Sequence, residues 1–374
     1  MMKTILFDLD GTLACMDQDE FIKQYFQKLG ELAASRGLSE PKRLLDAVMA
    51  GTYAMMHNDG TMSNEERFWK VFPQAYGEGW QETTPLIDHF YTHEFNEIRS
   101  IVSPCAVSRR LLHDLRQKGY KIGLATSPVF PRIATEQRVA WAGLKPEDFD
   151  YISTYENSHY PKPSHEYYRE VMTALGALPE ECLMIGNDAE EDMCTADWGF
   201  SVYLVTDHLL NRKNLPIEAY PQGTLADLAS YLNTLPDLRH AYTRMVQYYE
   251  TDSMGIVHHS NYVRWMEEAR VDWMDAVGFG YDAMEKAGVS SPVLAVRCEY
   301  KSPVRFHDTV RIYVRLAEFT GIRLTVSYEI VDACTGALRL QGETRHCFTD
   351  KSGRPVSLKK VCPEAYELYM KHIL

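Results

Sequence analysis

The segment KTILFDLDGT, residues 3–12, decides the fold of the first part of the chain. Its first five residues form a short apolar run that stops at Asp8, which is typical of a buried parallel strand. Asp8 and Asp10 lie two positions apart, and side chains at positions i and i+2 of an extended chain point to the same side. We therefore expect both carboxylates to face one pocket at the carboxyl end of this strand.

The residues that follow predict an α/β architecture. Apolar residues at three- and four-residue steps indicate helices over about 14–97, without a clear strand between them. Beyond that point strands alternate with helices, which predicts a parallel, doubly wound sheet. The strand-like segments are 121–127, 151–154, 181–188 and 201–206, and the helical segments lie near 104–118, 130–143, 164–175 and 224–233.

Polar residues follow the later strands. Thr126 offers a hydroxyl to a phosphoryl oxygen, and Lys162 offers a charge that can hold Asp8 and a phosphoryl group together. Asp188 and Asp192 are hard oxygen ligands of the kind that Mg²⁺ prefers. With a bound metal offsetting phosphate charge, one aspartate can attack phosphorus while its neighbour protonates the leaving alcohol. A lone aspartate at a strand end is usually a cap or turn residue, but this ordered set predicts a phosphohydrolase.

Residues 1–235 resemble the haloacid dehalogenase superfamily, on the motifs just quoted. The resemblance implies a Rossmann-like core in which residues 14–97 form a helical cap that closes over small substrates. It makes Asp8 the nucleophile and Asp10 the general acid/base. Dehalogenases of the family lack an acid at the place of Asp10, so phosphatase activity is favoured. In the implied site Thr126 and Lys162 bind the phosphoryl group, and Mg²⁺ is held by Asp8, Asp10, Asp188 and Asp192.

The pattern changes after a polar, proline-containing stretch at 233–240, which is the best linker candidate. One amphipathic helix is indicated by apolar residues from Tyr262 to Ala276. The segments 310–316 and 324–330 then alternate apolar and polar residues, as antiparallel strands with one buried face do. The sequence therefore predicts a second unit of α+β type.

Residues 245–265 combine an apolar strand, an acidic loop and a helix start. Thioester hydrolysis needs an activated water or a carboxylate nucleophile, and donors for the developing oxyanion. Asp252 can supply the first. Backbone N–H groups around His259 can supply the second, because amides at a helix start are unpaired and lie at the positive end of the helix dipole.

This block resembles the 4-hydroxybenzoyl-CoA thioesterase family of hot-dog proteins, whose pattern is matched by Asp252, Gly255, Ile256, Asn261 and Tyr262. The resemblance covers about 240–370 and implies a hot-dog domain at 240–374, with a long helix wrapped by a five- or six-stranded sheet. It implies that Asp252 is the base or nucleophile and that the His259 amide polarises the thioester carbonyl. It also implies a homodimer or homotetramer through this domain.

A cluster of basic residues lies near the end of the chain. Coenzyme A carries several phosphate charges, so these residues are candidates for binding it; a solvated, charged strand edge is an equally good explanation. The candidates are Arg345, Lys351, Arg354, Lys359 and Lys360.

Composition limits the partners. The chain of 374 residues has a formal net charge of −13, and residues 241–374 carry 17 basic and 17 acidic residues, so the excess lies in residues 1–240. Such an acidic body argues against nucleic acid. No apolar run reaches the roughly 18 residues that span a bilayer. The start shows no secretory signal, and the eight scattered cysteines contain no CxxC pair, so we expect a cytoplasmic protein with reduced thiols.

The sequence thus predicts a bifunctional hydrolase with Mg²⁺ as cofactor, acting on small phosphate esters in its first unit and on acyl-CoA in its second. Two alternatives stay open. The first unit could be a non-catalytic sensor attached to a working thioesterase, or the second could be a hot-dog dehydratase.

Overall fold

A computed structural model describes residues 2–38, 40–103 and 105–372. The chain forms two compact units, Met1–Leu238 and Arg239–Leu374. Each unit has its own sheet and its own apolar core, and they are described in turn.

The first unit is built on a parallel sheet of six strands in the order β3-β2-β1-β4-β5-β6. Because β1 lies between β2 and β4, the strand order reverses there, and ligands of such sheets bind at that point, beyond the carboxyl ends of the strands. The strands are β1 Thr4–Phe7, β2 Lys121–Leu124, β3 Tyr151–Ile152, β4 Cys182–Gly186, β5 Ser201–Val205 and β6 Gln222–Gly223.

Eight α-helices accompany this sheet, several with hydrogen-bonded caps. Asp17 caps α1 by accepting a bond from the Glu20 amide, and Ser164 caps α7 in the same way. Short 3-10 turns lie between some of the helices, the longest at Glu94–Ile101. The helices are α1 Gln18–Ser35, α2 Pro41–Met56, α3 Asn64–Tyr76, α4 Thr84–Thr92, α5 Ala106–Gln117, α6 Arg132–Trp141, α7 His165–Leu175 and α8 Leu225–Asn233.

The two faces of β1 belong to different cores, as the alternation of a strand requires. Ile5 and Phe7 pack into a large cluster that continues through the helices of residues 18–101. Leu6 packs on the opposite face, against α7. The sheet is therefore covered on both sides, and this confirms the α/β prediction.

The second unit is an antiparallel sheet in the order β7-β9-β10-β11-β8, packed against one long helix. Trp265, Met266 and Ala269 are fully buried between the helix and the sheet. The predicted α+β hot-dog architecture is confirmed. The strands are β7 Ala241–Met245, β8 Val293–Tyr300, β9 Thr309–Phe319, β10 Arg323–Asp332 and β11 Leu338–Cys347; the helices are α9 His259–Ala276, α10 Tyr281–Lys286, α11 Leu358–Val361 and α12 Pro363–His372.

Strand β8 is an edge strand with an apolar surface. It pairs with β11 on one side, and no other described strand pairs with it. Val293, Leu294 and Val296 are 51%, 57% and 42% exposed, although they belong to a strand. Over the described ranges, no helix has both the length and the apolarity that a bilayer crossing requires.

We predict that the fragment 239–374 folds by itself, because its core contains no residue of the first unit. Thermal unfolding followed by tryptophan fluorescence should show one cooperative transition with a blue-shifted native emission, since Trp265 is fully buried. The same fragment carrying Trp265→Ala is the control and should unfold at a much lower temperature. A non-cooperative transition in the unmodified fragment would contradict the prediction.

Two candidate active sites

The first candidate site begins where β1 ends. Asp8 and Asp10 are each 8% exposed, and the Thr12 hydroxyl donates to Asn187 (3.1 Å) and approaches Asp8 Oδ2 at 3.4 Å. Gly11 turns the chain with φ +83°, and a Cβ there would lie 2.4 Å from the Asn187 amide nitrogen. Glycine is therefore required at this turn by both conformation and space.

Lys162 is the cation of this site. Its side chain is 1% exposed, and its Nζ donates to Asp8 Oδ1 at 3.0 Å and to Asp192 Oδ1 at 2.7 Å. Burial alone lowers the pKa of Lys162, but the carboxylates of Asp192 and Asp8 outweigh it and raise that pKa well above its usual value. Lys162 therefore stays charged and joins residues that follow two neighbouring strands, β1 and β4.

Asp10 has a partner that the sequence did not indicate. Arg138, on α6 and 1% exposed, donates a hydrogen bond to Asp10 Oδ2, and its guanidinium lies 4.5 Å from the centre of the Phe130 ring. Burial raises the pKa of Asp10 to about 6, although Arg138 acts in the opposite direction. The other oxygen of Asp10, Oδ1, is buried and has no described hydrogen-bond partner. Asp10 thus keeps one oxygen available for a ligand.

Asp188 and Asp192 follow β4. Asp188 Oδ1 accepts from the amides of Glu190 (2.7 Å) and Glu191 (2.9 Å). Asp192 uses both oxygens within the protein, because Oδ1 accepts from Lys162 and Oδ2 from the Asp188 amide at 3.0 Å. Burial raises the pKa of Asp192 to about 7 despite Lys162. Asp192 therefore holds Lys162 in position and is less open to a ligand than Asp8, Asp10 and Asp188 are.

One small cavity of about 20 Å³ unites these groups, which is room for about one water molecule. Lys162 lies behind it, in contact with Asp8 and Asp192. The cavity brings together five of the predicted residues and adds Glu191, whose pKa burial raises to about 7. The five predicted residues are Asp8, Asp10, Thr126, Asp188 and Asp192.

The donor set fits Mg²⁺, which keeps several waters and needs only one or two protein carboxylates. Asp8, Asp10 and Asp188 line the cavity, and Oδ1 of Asp10 is buried there without a described hydrogen-bond partner. Within residues 2–38, 40–103 and 105–372, no three acidic, histidine or cysteine side chains converge as a complete metal site.

The second candidate site lies at the N-terminus of α9. Asp252 forms a tight turn in which its Oδ1 accepts from the Met254 amide at 2.8 Å, and Gly255 has φ +72°. The carbonyl of Glu250 accepts from the amide of His258 at 2.8 Å, which pins the ends of this loop together. His259 is the first residue of α9, so its amide has no partner within the helix. Asp252 and this amide thus belong to one closed loop.

A buried carboxylate supports this loop, and the sequence did not indicate it. Glu250 is 3% exposed, and its Oε1 accepts from Arg244 (2.6 Å) and from Trp265 Nε1 (2.8 Å). Burial alone raises the pKa of Glu250, but hydrogen bonds from the Gln247 amide, Trp265 and Arg244 bring that pKa below its usual value. An ionised Glu250 therefore fixes β7 and α9 on either side of Asp252.

The basic candidates for coenzyme A are all exposed. Arg345 lies on β11 opposite Ala295 of β8, and its Nε donates to Glu343 at 2.9 Å. Lys351 and Arg354 lie in the turn after β11. Lys359, on α11, lies 5.4 Å from the Tyr366 ring, and Lys360 follows it.

Comparison with known proteins assigns a family to each region. The family model described as haloacid dehalogenase-like hydrolase matches residues 2–196, and the one described as thioesterase-like superfamily matches residues 246–365. The two matches cover different parts of the chain.

Individual proteins agree with this division. A Bacillus subtilis (strain 168) protein named "Putative acyl-CoA thioesterase YneP" is 35% identical over 127 residues, 34% of this chain and 91% of the relative. The glyceraldehyde 3-phosphate phosphatase of Methanothermobacter thermautotrophicus is 23% identical over 222 residues, 58% of this chain and 92% of the relative. The crystal structure of a DHNA-CoA thioesterase from Staphylococcus aureus is 31% identical and covers 35% of this chain and 88% of that chain, with a TM-score of 0.34.

We predict that Lys162→Met destabilises the first unit, because it leaves the buried carboxylates of Asp8 and Asp192 without their shared cation. Removing one member of a buried ion pair costs about 3–5 kcal/mol. Urea unfolding of the full chain at pH 7.5 measures the free energy of unfolding. Lys70→Met, the same change at an exposed lysine of this unit, should stay within about 0.5 kcal/mol of the unmodified protein. Equal losses of unfolding free energy in the two variants would refute the proposal that Lys162, Asp8 and Asp192 form a stabilising ion network.

Proposed function

The chain belongs to the haloacid dehalogenase-like hydrolases through residues 2–196 and to the thioesterase-like superfamily through residues 246–365, and on that premise we propose that it is a bifunctional hydrolase. Residues 1–235 hydrolyse phosphate monoesters and residues 240–374 hydrolyse acyl-CoA thioesters. The observation that carries the first activity is the joint lining of one cavity by Asp8, Asp10 and Asp188, with Lys162 bound to Asp8.

The phosphatase reaction follows from the hydrogen bonds of each aspartate. Asp8 is the nucleophile, and Lys162 holds its Oδ1, so the carboxylate is fixed before substrate binds. The phosphoryl group passes from the ester oxygen to Asp8, and Asp10 gives a proton to the departing alcohol. Its raised pKa, about 6, makes Asp10 the carboxyl group better suited to carry that proton. Water, deprotonated by Asp10, then releases inorganic phosphate from Asp8.

Thr126 and Lys162 serve the phosphoryl oxygens in this proposal, Thr126 by its hydroxyl and Lys162 by its charge. When bound, Mg²⁺ would be held by Asp8 and Asp188, with Asp192 in support, and would supply positive charge against the phosphoryl oxygens. The Asp10 carboxyl then stays free to carry its proton.

The thioesterase reaction is assigned to the loop before α9. Asp252 acts as the base or nucleophile, and the His259 amide, at the positive end of the helix dipole, donates to the developing oxyanion. The ionised Glu250 holds this loop against Arg244 and Trp265, so the helix start does not move during the reaction. Arg345, Lys351, Arg354, Lys359 and Lys360 are the candidates for the phosphates of coenzyme A.

A second copy of the chain completes the proposed thioesterase. A long, apolar edge strand is a template for pairing, and β8 presents Val293, Leu294 and Val296 together with one unpaired backbone edge. Antiparallel pairing of β8 with β8 of a second copy satisfies this edge on both molecules at once, as a two-fold axis requires. We therefore propose a homodimer, or a homotetramer built from it, and a cytoplasmic location.

We predict that the two activities are separable, because their catalytic residues lie in units with separate cores. Asp8→Asn should lower the turnover of phosphate esters at least 1,000-fold, on the order seen when a catalytic nucleophile is removed, since an amide is a poor nucleophile. EDTA should do the same. Asp252→Ala should abolish acyl-CoA hydrolysis. Each variant is assayed against a panel of phosphate esters and a panel of acyl-CoA compounds.

Each variant serves as the control for the other. Asp8→Asn should leave acyl-CoA hydrolysis within about twofold of the unmodified protein, and Asp252→Ala should leave phosphatase turnover equally unchanged, as independent sites do. Acyl-CoA hydrolysis that survives Asp252→Ala means that another residue is the base. Absence of phosphatase turnover in the unmodified protein with Mg²⁺ favours the sensor alternative, and hydration of enoyl-CoA favours the dehydratase.

We predict that Leu294→Lys together with Val296→Lys converts the oligomer to a monomer, because four charges then meet across the β8 edge. Light scattering at micromolar concentration measures the mass. The control is Ile322→Lys, which places a charge on an exposed apolar residue, 43% exposed, away from β8; it should keep the mass of the unmodified protein. A monomeric unmodified chain would contradict the proposal.

A further inference from the structure

A second cavity lies in the first unit, apart from the carboxylate site. Its volume is about 90 Å³, several times the roughly 10–15 Å³ that one water needs. Aromatic side chains dominate its walls, chiefly Tyr25, Phe26, Trp69, Phe130 and Tyr155. A well-packed core leaves few voids of this size, so we expect the cavity to bind a ligand.

Two chain segments lead from the carboxylate site to this cavity. On α1, Gln18 lines the carboxylate site, while Ile22 and Phe26, one and two turns later on the same face, line the cavity. After β2, Ser127 lines the carboxylate site, and Phe130 lines the cavity. The start of α1 and the segment after β2 therefore contribute side chains to both spaces.

Arg138 lies at the boundary. Its guanidinium donates to Asp10 on one side and faces the Phe130 ring on the other. It also donates a hydrogen bond to Thr135 Oγ1 at 3.3 Å. Arg138 thus links Asp10 to Phe130, one of the aromatic residues that line the cavity.

The side chains that line the cavity determine which kind of ligand it can bind. Among the residues that the structure describes, no Asp, Glu, Lys or Arg lines the cavity. Its hydroxyl groups include those of Tyr25 and Tyr91, which bond to each other at 2.8 Å. A sugar or nucleotide would lose its water here without enough partners, which is costly. A flat apolar ring would instead stack against the aromatic side chains.

We propose that this cavity receives the leaving group of the phosphate ester and that this group is an apolar, ring-containing alcohol. The inference rests on the proposed phosphatase activity and deepens it. The P–O bond to the alcohol breaks, a P–O bond to Asp8 forms, and the proton of Asp10 goes to the alcohol oxygen, so the released product is the neutral ring-bearing alcohol. Phe26, Trp69, Phe130 and Tyr155 line the space that would hold its ring.

The test compares two primary alkyl esters whose leaving oxygens are chemically alike, 2-phenylethyl phosphate and glycerol 1-phosphate. With Mg²⁺, the full chain should hydrolyse 2-phenylethyl phosphate with a kcat/KM at least about tenfold higher, which is the discrimination an apolar pocket gives. Thr52→Phe fills the cavity from α2 and should remove this preference, mainly through KM, while glycerol 1-phosphate changes by less than about twofold.

The matched control is Met49→Phe, which adds the same ring to an exposed position of α2 outside the cavity and should preserve the preference. Ile22→Phe fills the cavity from α1 and replaces Thr52→Phe if that variant does not fold. Calorimetric binding of both esters to Asp8→Asn gives a readout without turnover, and 2-phenylethyl phosphate should bind at least about tenfold more tightly.

The outcomes separate the two proposals. Equal kcat/KM for the two esters, or a preference that survives both filling variants, overturns the cavity assignment and leaves the phosphatase intact. Absence of turnover with both esters refutes the phosphatase activity, and the binding of the two esters to Asp8→Asn then tests the cavity assignment by itself. Equal affinities overturn that assignment. Tighter binding of 2-phenylethyl phosphate that is lost when Thr52→Phe is added supports it.

Discussion

The buried contact between Lys162 and the carboxylates of Asp8 and Asp192 is the interaction on which the first unit depends. A charge removed from water is costly unless it is paired, and here one ammonium group meets two carboxylates from residues that follow neighbouring strands. This requirement fixes the ends of β1 and β4 at the point where the strand order reverses. It also explains Gly186, where a Cβ would lie 1.9 Å from Asp192 Oδ2. The sheet supplies the frame, and the ion network sets the positions of the side chains.

The second unit also depends on a buried ionised group, but there the group is a carboxylate and its partner is a cation. Glu250 is the buried ion, and Arg244 and Trp265 surround it. In both units an ionised group that is fully engaged with its neighbours lies directly beside a more accessible aspartate, Asp8 in one and Asp252 in the other. The proposed chemistry therefore rests on aspartates that are held in place by buried ionised neighbours, Lys162 in the first unit and Glu250 in the second.

The sequence predicted the fold well because its signals are local. The apolar run before Asp8, the alternation within β9 and β10 and the turn at Gly255 are each readable over a few residues. The two-residue strand β6 was missed, since so short a segment has no periodicity.

Side-chain partners were harder to predict than strands. Asp8, Asp10, Thr126, Asp188 and Asp192 follow strands, so the topology of a parallel sheet brings them to one cavity. The Arg138–Asp10 contact joins a helix to a distant loop, and a buried arginine in the helix pattern gives no hint of its partner. The sequence did not indicate the role of Glu250 either, because that role depends on contacts with Arg244 and Trp265, which belong to two other elements.

The exposed edge of β8 has a consequence for how the chain is made. Its sole described partner strand, β11, begins only at Leu338, so a ribosome releases β8 well before β11 exists to cover either side of it. During that interval the nascent chain carries an apolar strand with two open edges, the form most prone to joining the wrong neighbour. The order of the two strands along the chain therefore leaves β8 open to mispairing until residues 338–347 have been made.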